Sequence, residues 1–227
     1  MKSSASVLLR KMKVALTPRG WLLKTTLSNG AIAYGKNKPG FGGRGIHIYG
    51  DALEPEFQVL EQFLDSTGVF VDVGANTGIY SLKAAKHFNN SGCVLAIEPF
   101  PEILAMLHHS VQANGFTNVR LRNLGVCDRT TARVLWMNFG APTTFSAIKK
   151  DPTAAPLSVL MVSLDDLFEW EQLNRLDYLK IDAEGAEPDI LLGARNVIET
   201  YRPIIQLETR VVDCPFNSPT TQSSTHR

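Results

Sequence analysis

Apolar and polar positions alternate along the chain in segments that predict strands and helices in turn. Short apolar runs bounded by turn residues predict buried strands at Val69–Val73, Cys93–Ile97, Val119–Leu121, Leu176–Ile181 and Ile204–Leu207. Apolar residues at helical spacing, with Pro and Gly near the ends, predict helices at Ile79–Phe88, Pro101–Ala113 and Pro188–Thr200. Strands that alternate with helices favour an α/β protein with a parallel, doubly wound sheet.

The first 64 residues follow another pattern. Ser28-Asn29-Gly30 separates the segments Lys24–Leu27 and Ala31–Tyr34, and Asn-Gly between two such segments predicts a β-hairpin. We expect a flexible loop at Lys38–Gly45 and a helix at Asp51–Leu64.

Two further segments, Ala132–Asn138 and Leu157–Val162, have β character. The long segment between them is rich in Pro, Thr and Ala, and we expect it to cover a substrate. Residues 214–227 are polar and are predicted to be a disordered tail. The predicted organisation is therefore an arm with a hairpin at 1–47, a catalytic domain at 48–213 and this tail.

Charge is unevenly distributed although the net charge is only +1. Nine of the 23 basic residues lie in residues 1–50, which contain no Asp or Glu, so the rest has 14 basic against 22 acidic residues. Without an overall basic field we expect no nucleic-acid partner. The Ser-rich, basic start predicts a solvated helix, and it leaves an organellar transit peptide or a membrane-surface helix open.

The cysteines Cys93, Cys127 and Cys214 are odd in number and form no CxxC pair. This pattern indicates a reducing compartment and predicts a cytoplasmic location. Apolar runs stay well short of the roughly 20 residues that span a bilayer, so we expect no transmembrane segment. His108-His109 is predicted to lie on a helix surface away from the ligand end of the sheet.

The stretch Asp72-Val73-Gly74-Ala75-Asn76-Thr77-Gly78 places a carboxylate directly before a glycine-spaced loop. One interpretation is a tight turn that merely needs glycine. A second is a nicotinamide site, but Asn76 replaces its second glycine and Asp72 would repel the pyrophosphate. The third is S-adenosylmethionine, whose ammonium suits Asp72 and whose carboxylate suits the helix start after Gly78.

Glu98 follows the second strand of the sheet, and this position favours the third interpretation. An acidic side chain there can accept hydrogen bonds from ribose hydroxyls. Phe100, two residues on, can pack on adenine. The alternative is that Glu98 only stabilises the start of a helix.

The predicted strand Leu176–Ile181 contains Lys180 and is followed by Asp182-Ala183-Glu184-Gly185-Ala186-Glu187. Asp182 and Glu184 reach the ligand end of the sheet, where a carboxylate can orient a hydroxyl and receive its proton. Glu187 suits a helix start, and Lys180 is expected to support the strand. Two neighbouring carboxylates are weak evidence for a cation, so we predict no metal site.

Four ordered segments together resemble the FkbM-type S-adenosylmethionine-dependent methyltransferases. They are VFVDVGANTGIYSLKAA, AIEPFP, VSLDDL and LDYLKIDAEGAEPDILLGA, and the resemblance covers about residues 48–208. It implies a class I methyltransferase (Rossmann-like) fold and methyl transfer to a hydroxyl of a small molecule, sugar or polyketide.

The resemblance also implies roles for individual residues. The methionine-side loop would consist of Asp72, Gly74, Asn76 and Gly78. Glu98 would meet the ribose and Phe100 the adenine, with the adenine edge lined by Asn123, Leu124 and Gly125. Asp182 and Glu184 would face the acceptor as catalytic residues.

The chain departs from that family's pattern after Glu208, where only 19 residues remain. We expect the C-terminal strand pair of the full fold to be missing, which would expose the edge of Ile204–Leu207. Self-association through this edge, or a truncated protein that binds without catalysis, are the alternatives to an active enzyme.

Overall fold

A computed structural model describes residues 4–39, 42–137, 145–146, 155–183 and 185–208. The strands are β1 (Leu22–Thr26), β2 (Ile32–Lys36), β3 (Val69–Val73), β4 (Cys93–Ile97), β5 (Val119–Arg122), β6 (Gly125–Val126), β7 (Thr131–Met137), β8 (Phe145–Ser146), β9 (Ala155–Val162), β10 (Tyr178–Ile181) and β11 (Ile204–Leu207). The α-helices are α1 (Ser4–Leu16), α2 (Gly43–Tyr49), α3 (Ile79–Phe88), α4 (Pro101–Asn114), α5 (Leu164–Glu171), α6 (Glu187–Leu192) and α7 (Arg195–Tyr201).

Five parallel strands form the central sheet in the order β11-β10-β3-β4-β5. The chain starts at β3, moves outward to β4 and β5, and then returns to the other side of β3 with β10 and β11. This reversal confirms the predicted doubly wound α/β fold. It puts the carboxyl ends of β3, β4 and β10 together at the point where such sheets bind ligands.

Two apolar clusters bury the inner strands β3, β4 and β10 of the sheet on both faces. Phe70 of β3 packs with α3, α4 and the hairpin, and the alternate residues Val71 and Val73 pack with α5, α6 and α7. β3 is buried along its whole length, as expected of a central parallel strand.

The predicted hairpin is confirmed as β1 and β2, which pair around the turn at Leu27–Ala31. It docks on α4 through side chains that bind the outer edge of β2. Asn114 accepts from the Ile32 N–H at 2.8 Å and donates to the Ile32 carbonyl at 2.7 Å, and Ser110 Oγ accepts from the Tyr34 N–H at 2.9 Å. Leu27, Ala31 and Ala33 belong to the same apolar cluster as the central sheet.

Asp51–Leu64 is not the predicted helix. It forms three short 3-10 turns, Gly50–Ala52, Pro55–Gln58 and Leu60–Phe63. Pro55 has no N–H to donate and forces Glu54 into an extended conformation, with φ −134° and ψ 125°. The apolar spacing still serves packing, because Phe57 and Leu60 are buried.

The predicted helix at Pro188–Thr200 is divided into α6 and α7. Gly193 stands at the break, where a Cβ would lie 2.1 Å from the Cys127 carbonyl oxygen. Asp165 then accepts from the N–H groups of Asn196 and Val197, at 3.2 and 2.9 Å, and so stabilises a second helix start. A glycine required by close packing and a cap from another helix therefore interrupt one continuous apolar pattern.

Two helices were not predicted. α2 begins at Gly43 inside the segment expected to be a flexible loop, and Gly43 has no room for a Cβ because the β2 backbone lies within 2.5 Å of that position. α5 begins after Ser163, whose hydroxyl accepts from the Asp166 N–H at 3.1 Å.

A second sheet in the order β6-β9-β7-β8 projects from the central one. β7 and β9 are antiparallel and confirm the two predicted β segments. Most of the segment expected to cover the substrate lies outside the described residues, as do residues 209–227, which include the predicted tail and Cys214. The boundaries at residues 47 and 213 stay predictions.

Candidate active site

The glycine loop after β3 requires glycine, because it lies very close to the end of the neighbouring strand β10 and to α4. Gly74 has φ +77°, and a Cβ there would lie 1.9 Å from the Asp182 carbonyl oxygen. Gly78 has φ +79°, and its Cβ would lie 2.1 Å from the Leu107 side chain. Asn76 also adopts positive φ, +51°, a conformation that Asn tolerates better than most residues. The loop is therefore a fixed backbone turn beside the end of β10.

Glu98 ties this loop to the turn after β4. Its carboxylate accepts from the Asn76 N–H and from the Phe100 N–H, each at 2.9 Å. Burial raises the pKa of Glu98 to about 7, against the opposing effect of these two hydrogen bonds. The side chain is 4% exposed, so a buried acceptor stands at the predicted ribose position.

Asp72 is fully buried and faces α3. Its Oδ2 accepts from Ser81 Oγ at 2.6 Å, whereas Oδ1 has no hydrogen-bond partner and lies 3.8 Å from Lys180 Nζ. Burial raises the pKa of Asp72, although Lys180 and Ser81 act in the opposite direction. The charge of Asp72 thus has a partner that the sequence pattern did not indicate.

Lys180 links Asp72 to Asp182. Its Nζ donates to Asp182 Oδ2 at 3.1 Å and lies 4.6 Å above the centre of the Tyr80 ring. Burial lowers the pKa of Lys180, but Asp72 and Asp182 more than offset it, so the net change is upward. Lys180 is consequently a buried cation with two carboxylates at the ligand end of the sheet, and more than a strand support.

Glu208, just past β11, meets Asp182 from the other side. Its carboxyl is within hydrogen-bonding reach of Asp182, and this contact, aided by burial, raises the pKa of Glu208 to about 7. Glu208 was not predicted as a site residue, because α6, α7 and β11 lie between it and Asp182 in the sequence. Its position directly after a strand of the parallel sheet was the available signal.

Tyr80 packs against Lys180 on the buried side of the cluster of Asp72, Lys180 and Asp182. Its hydroxyl donates to Glu54 at 2.6 Å and accepts from Gln206 Nε2 at 3.4 Å. Burial and the Glu54 contact raise the pKa of Tyr80 far above its ordinary value, so the phenol stays protonated. Tyr80 therefore connects α3, the 3-10 segment and β11 around Lys180.

The other site residues that the sequence predicted have contacts of their own. The Phe100 ring is buried against Ile103 and Leu157. Asn123 donates to the carbonyls of Glu98 and Pro99, at 2.9 and 3.0 Å. Gly125 lies in β6, where a Cβ would be 2.5 Å from Met161 Sδ, so packing also explains this glycine. Glu184 lies outside the described residues.

Other predictions concern groups away from the site. His108 and His109 are exposed on α4, as predicted, and His109 contacts the Tyr34 ring at 4.4 Å between ring centres. Within the part of the chain that the structure describes, no cluster of three or more His, Cys, Asp or Glu side chains could hold a metal ion. No helix formed by these residues has the length and apolar character to cross a bilayer.

The fold and the strand order define a class I S-adenosylmethionine-dependent methyltransferase fold. The crystal structure of an S-adenosylmethionine-dependent methyltransferase from Agrobacterium tumefaciens is similar over 87% of this chain and 56% of its own, with a TM-score of 0.50 and 12% identity. The family model of the methyltransferase FkbM domain matches residues 72–223, more than half of the chain. The chain therefore belongs to the FkbM methyltransferase family.

Two further relatives are similar to it. "Methyltransferase 1" of Beauveria bassiana (strain ARSEF 2860) is 25% identical in an alignment of length 169, and the match covers 62% of this chain and 68% of the relative. The crystal structure of methyltransferase FkbM from Methylobacillus flagellatus KT is 18% identical, with a TM-score of 0.46, over 72% of this chain and 42% of its own. The chain thus spans about half the length of the two solved proteins named here.

Proposed function

We propose that this chain binds S-adenosylmethionine and transfers its methyl group to a hydroxyl of a small molecule, sugar or polyketide. The observation that carries the proposal is the contact between the glycine loop and Asp182. The backbone of Asp182 leaves no room for a side chain at Gly74, and its carboxylate is held by Lys180. A predicted acceptor-side carboxylate therefore adjoins the predicted cofactor loop.

The donor set fits S-adenosylmethionine. Glu98 is a buried carboxylate with lone pairs left after its two backbone hydrogen bonds, as ribose hydroxyls require. Gly74, Asn76 and Gly78 all adopt positive φ, and the two glycines carry no side chain that would keep a ligand away from the backbone of this turn. Glu98 and Asp182 add two carboxyl groups beyond the Asp72–Lys180 pair, which favours a ligand with a cationic end over a pyrophosphate.

We assign Asp72 an indirect role. Because its two oxygens face Ser81 and Lys180, it holds the start of α3 and the cation of β10 beside the loop. Its loss would disturb the loop as well as any ligand attracted by its charge. The role of Asp72 at the methionine end, inferred from the sequence, thus remains a prediction. Its contacts with Ser81 and Lys180 are the structural means by which it would act on the loop.

When bound, S-adenosylmethionine supplies an electrophilic methyl group. The chain must then orient the acceptor hydroxyl and receive its proton. Asp182 accepts a hydrogen bond from Lys180, which holds its carboxyl group in place. Contact with Asp182 raises the pKa of Glu208 to about 7. Glu208 is therefore a second group that can take up the acceptor's proton near neutral pH. The role of Glu184 in the same step stays a prediction.

The test is calorimetric titration of the full chain with S-adenosylhomocysteine, with NAD in a parallel titration. We expect saturable binding of S-adenosylhomocysteine, weaker binding in Asp72→Ala, and no heat from NAD. Binding of NAD, or none of either ligand by a folded chain, would contradict the cofactor assignment.

The acceptor is tested separately with radiolabelled S-adenosylmethionine and a panel of hydroxylated sugars and polyketides. Each compound is paired with an analogue whose hydroxyl is blocked by a methyl group. We expect label in the free hydroxyl compounds alone. Equal labelling of a blocked analogue would show that the methyl group goes to another atom.

A further inference from the structure

Helix α1 presents an apolar stripe to solvent. Its large side chains are Leu8, Leu9, Met12 and Leu16, which are 59, 66, 51 and 81% exposed. At about 100° per residue, these four positions fall within an arc of about 100° on one side of the helix. Four large apolar side chains on one exposed face are more than the isolated surface leucines that globular proteins usually show.

The opposite side of α1 fixes the helix to the protein. Arg10 donates to the His47 carbonyl of α2 at 3.3 Å. Asn37 donates to the carbonyls of Val14 and Thr17, at 2.9 and 2.7 Å, and so stabilises the helix end. Because α1 is docked through this side, its apolar stripe points away from the rest of the molecule.

Basic side chains border the stripe on both sides. Lys11 precedes Leu8 by about 60° around the helix and Lys13 follows Leu9 by about 40°, and both are exposed. None of the ion pairs formed by the described residues involves either lysine, and residues 1–50 contain no Asp or Glu. The charged side chains of α1 are thus all positive.

We propose that α1 is a membrane-docking helix that lies in the surface of an anionic lipid bilayer. Long lysine side chains that border an apolar stripe can reach phosphate and carboxylate headgroups while the stripe enters the acyl boundary. With 13 residues, the helix is about 20 Å long and too short to span the roughly 30 Å hydrocarbon layer. Trp21 and Leu22, 65 and 43% exposed just beyond the helix, suit the same interface.

The partner's chemistry follows from the charge. A second copy of this chain would bring two basic faces together, which like-charge repulsion opposes. An anionic bilayer instead matches both the stripe and its borders. The proposal is independent of the methyl-transfer assignment, because none of these residues belongs to the candidate active site.

The experiment is cosedimentation of the full chain with vesicles of phosphatidylcholine alone and of phosphatidylcholine mixed with phosphatidylserine. We expect binding to the anionic vesicles that weakens with added salt. Leu8→Gln/Leu9→Gln should weaken it at least about tenfold. Lys11→Gln/Lys13→Gln should weaken it by about 25-fold on anionic vesicles, about fivefold per lysine, with little change on neutral ones.

The matched control is Leu192→Gln, which removes an equally exposed leucine (58%) from α6 and should bind as the unmodified chain does. Thermal unfolding of each variant verifies that it is folded, since the changed side chains are exposed. Absence of binding to anionic vesicles, or equal binding by Leu8→Gln/Leu9→Gln, would overturn the proposal. A lipid-free dimer that the same variant abolishes in sedimentation velocity would assign the stripe to self-association instead.

Discussion

Lys180 lies opposite Asp72 on the neighbouring parallel strand, and its Nζ is 3.8 Å from Asp72 Oδ1. Both side chains are almost fully buried, at 5 and 1% exposure. Asp72 Oδ1 has no hydrogen-bond donor, so the lysine is what compensates its charge. The same Nζ donates to Asp182, so Lys180 links the carboxylate of β3 to the carboxylate that follows β10.

Removing the lysine should therefore be costly. We expect Lys180→Met to lower the free energy of unfolding by about 3–5 kcal/mol, because Asp72 is left charged, buried and without a cation. The double variant Asp72→Asn/Lys180→Met should recover part of this loss. Urea unfolding of both single variants and the double variant measures the coupling. As a control, Lys86→Met at an exposed position of α3 should change stability by less than about 0.5 kcal/mol. Purely additive effects would contradict the pairing.

The glycine loop can be tested with two alanines. Gly74 and Gly115 both have positive φ, but a Cβ meets the Asp182 carbonyl oxygen at Gly74 and nothing within 4 Å at Gly115. Gly115→Ala should cost about 1–2 kcal/mol from conformation alone. Gly74→Ala should cost at least about 2 kcal/mol more and weaken S-adenosylhomocysteine binding. Equal losses in urea unfolding would show that the close approach to Asp182 is not rigid.

Glu98 predicts a pH dependence of stability. Burial raises its pKa from 4.5 to about 7 in the folded chain, so the folded state binds the extra proton. Its contribution is full below pH 4.5 and is lost as the pH rises to about 7, by roughly 3 kcal/mol at most. Chemical unfolding between these pH values should show a smaller decline for Glu98→Gln than for the unmodified chain.

The comparison of slopes removes the contributions of other titrating groups, which are the same in both proteins. Glu169→Gln, on an exposed position of α5, serves as the control and should follow the unmodified chain. Identical slopes for Glu98→Gln and the unmodified chain would mean that Glu98 does not titrate in this range.

The proposed proton acceptors make a prediction about turnover. Asp182→Asn should reduce methyl transfer by about 10²–10⁴-fold while S-adenosylhomocysteine affinity changes little. Because contact with Asp182 raises the pKa of Glu208 to about 7, turnover should rise as the pH increases through 7. Glu208→Gln should flatten that rise in a rate profile between pH 6 and 8. Full turnover by Asp182→Asn would remove this residue from the mechanism.

The hairpin should unfold together with the sheet. Asn114→Ala removes both hydrogen bonds to Ile32 and leaves partly buried backbone groups of β2 without these partners, so we expect a loss of about 1–3 kcal/mol. Gln112→Ala, exposed on the same helix, should have little effect. Differential scanning calorimetry should show one transition for both variants. A separate early transition for Asn114→Ala would instead show that the arm and hairpin predicted at residues 1–47 unfold as a unit of their own.

Local patterns were enough for the central strands. Val69–Val73, Cys93–Ile97 and Ile204–Leu207 were predicted with the boundaries that the structure has. The first two are short apolar runs because both faces of the sheet are covered there, whereas Ile204–Leu207 is an apolar run on the exposed edge strand. The boundaries of α3 were also predicted, because Gly78 caps the start of the helix and Asn89 caps its end. The helix predicted at Asp51–Leu64 was wrong. The apolar spacing there is helical, but Pro55 and the extended conformation of Glu54 prevent one continuous helix.

The sequence by itself determined the fold class, the family resemblance and the location of the glycine loop, Glu98 and Asp182 at strand ends. These follow from residues that are neighbours in the chain. Only the tertiary structure decided that Lys180 pairs with Asp72, that Glu208 meets Asp182 and that Gly193 breaks a helix against Cys127. Such contacts join residues from different strands and helices. Their energies depend on distance and burial, which strand register and packing set after the chain has folded.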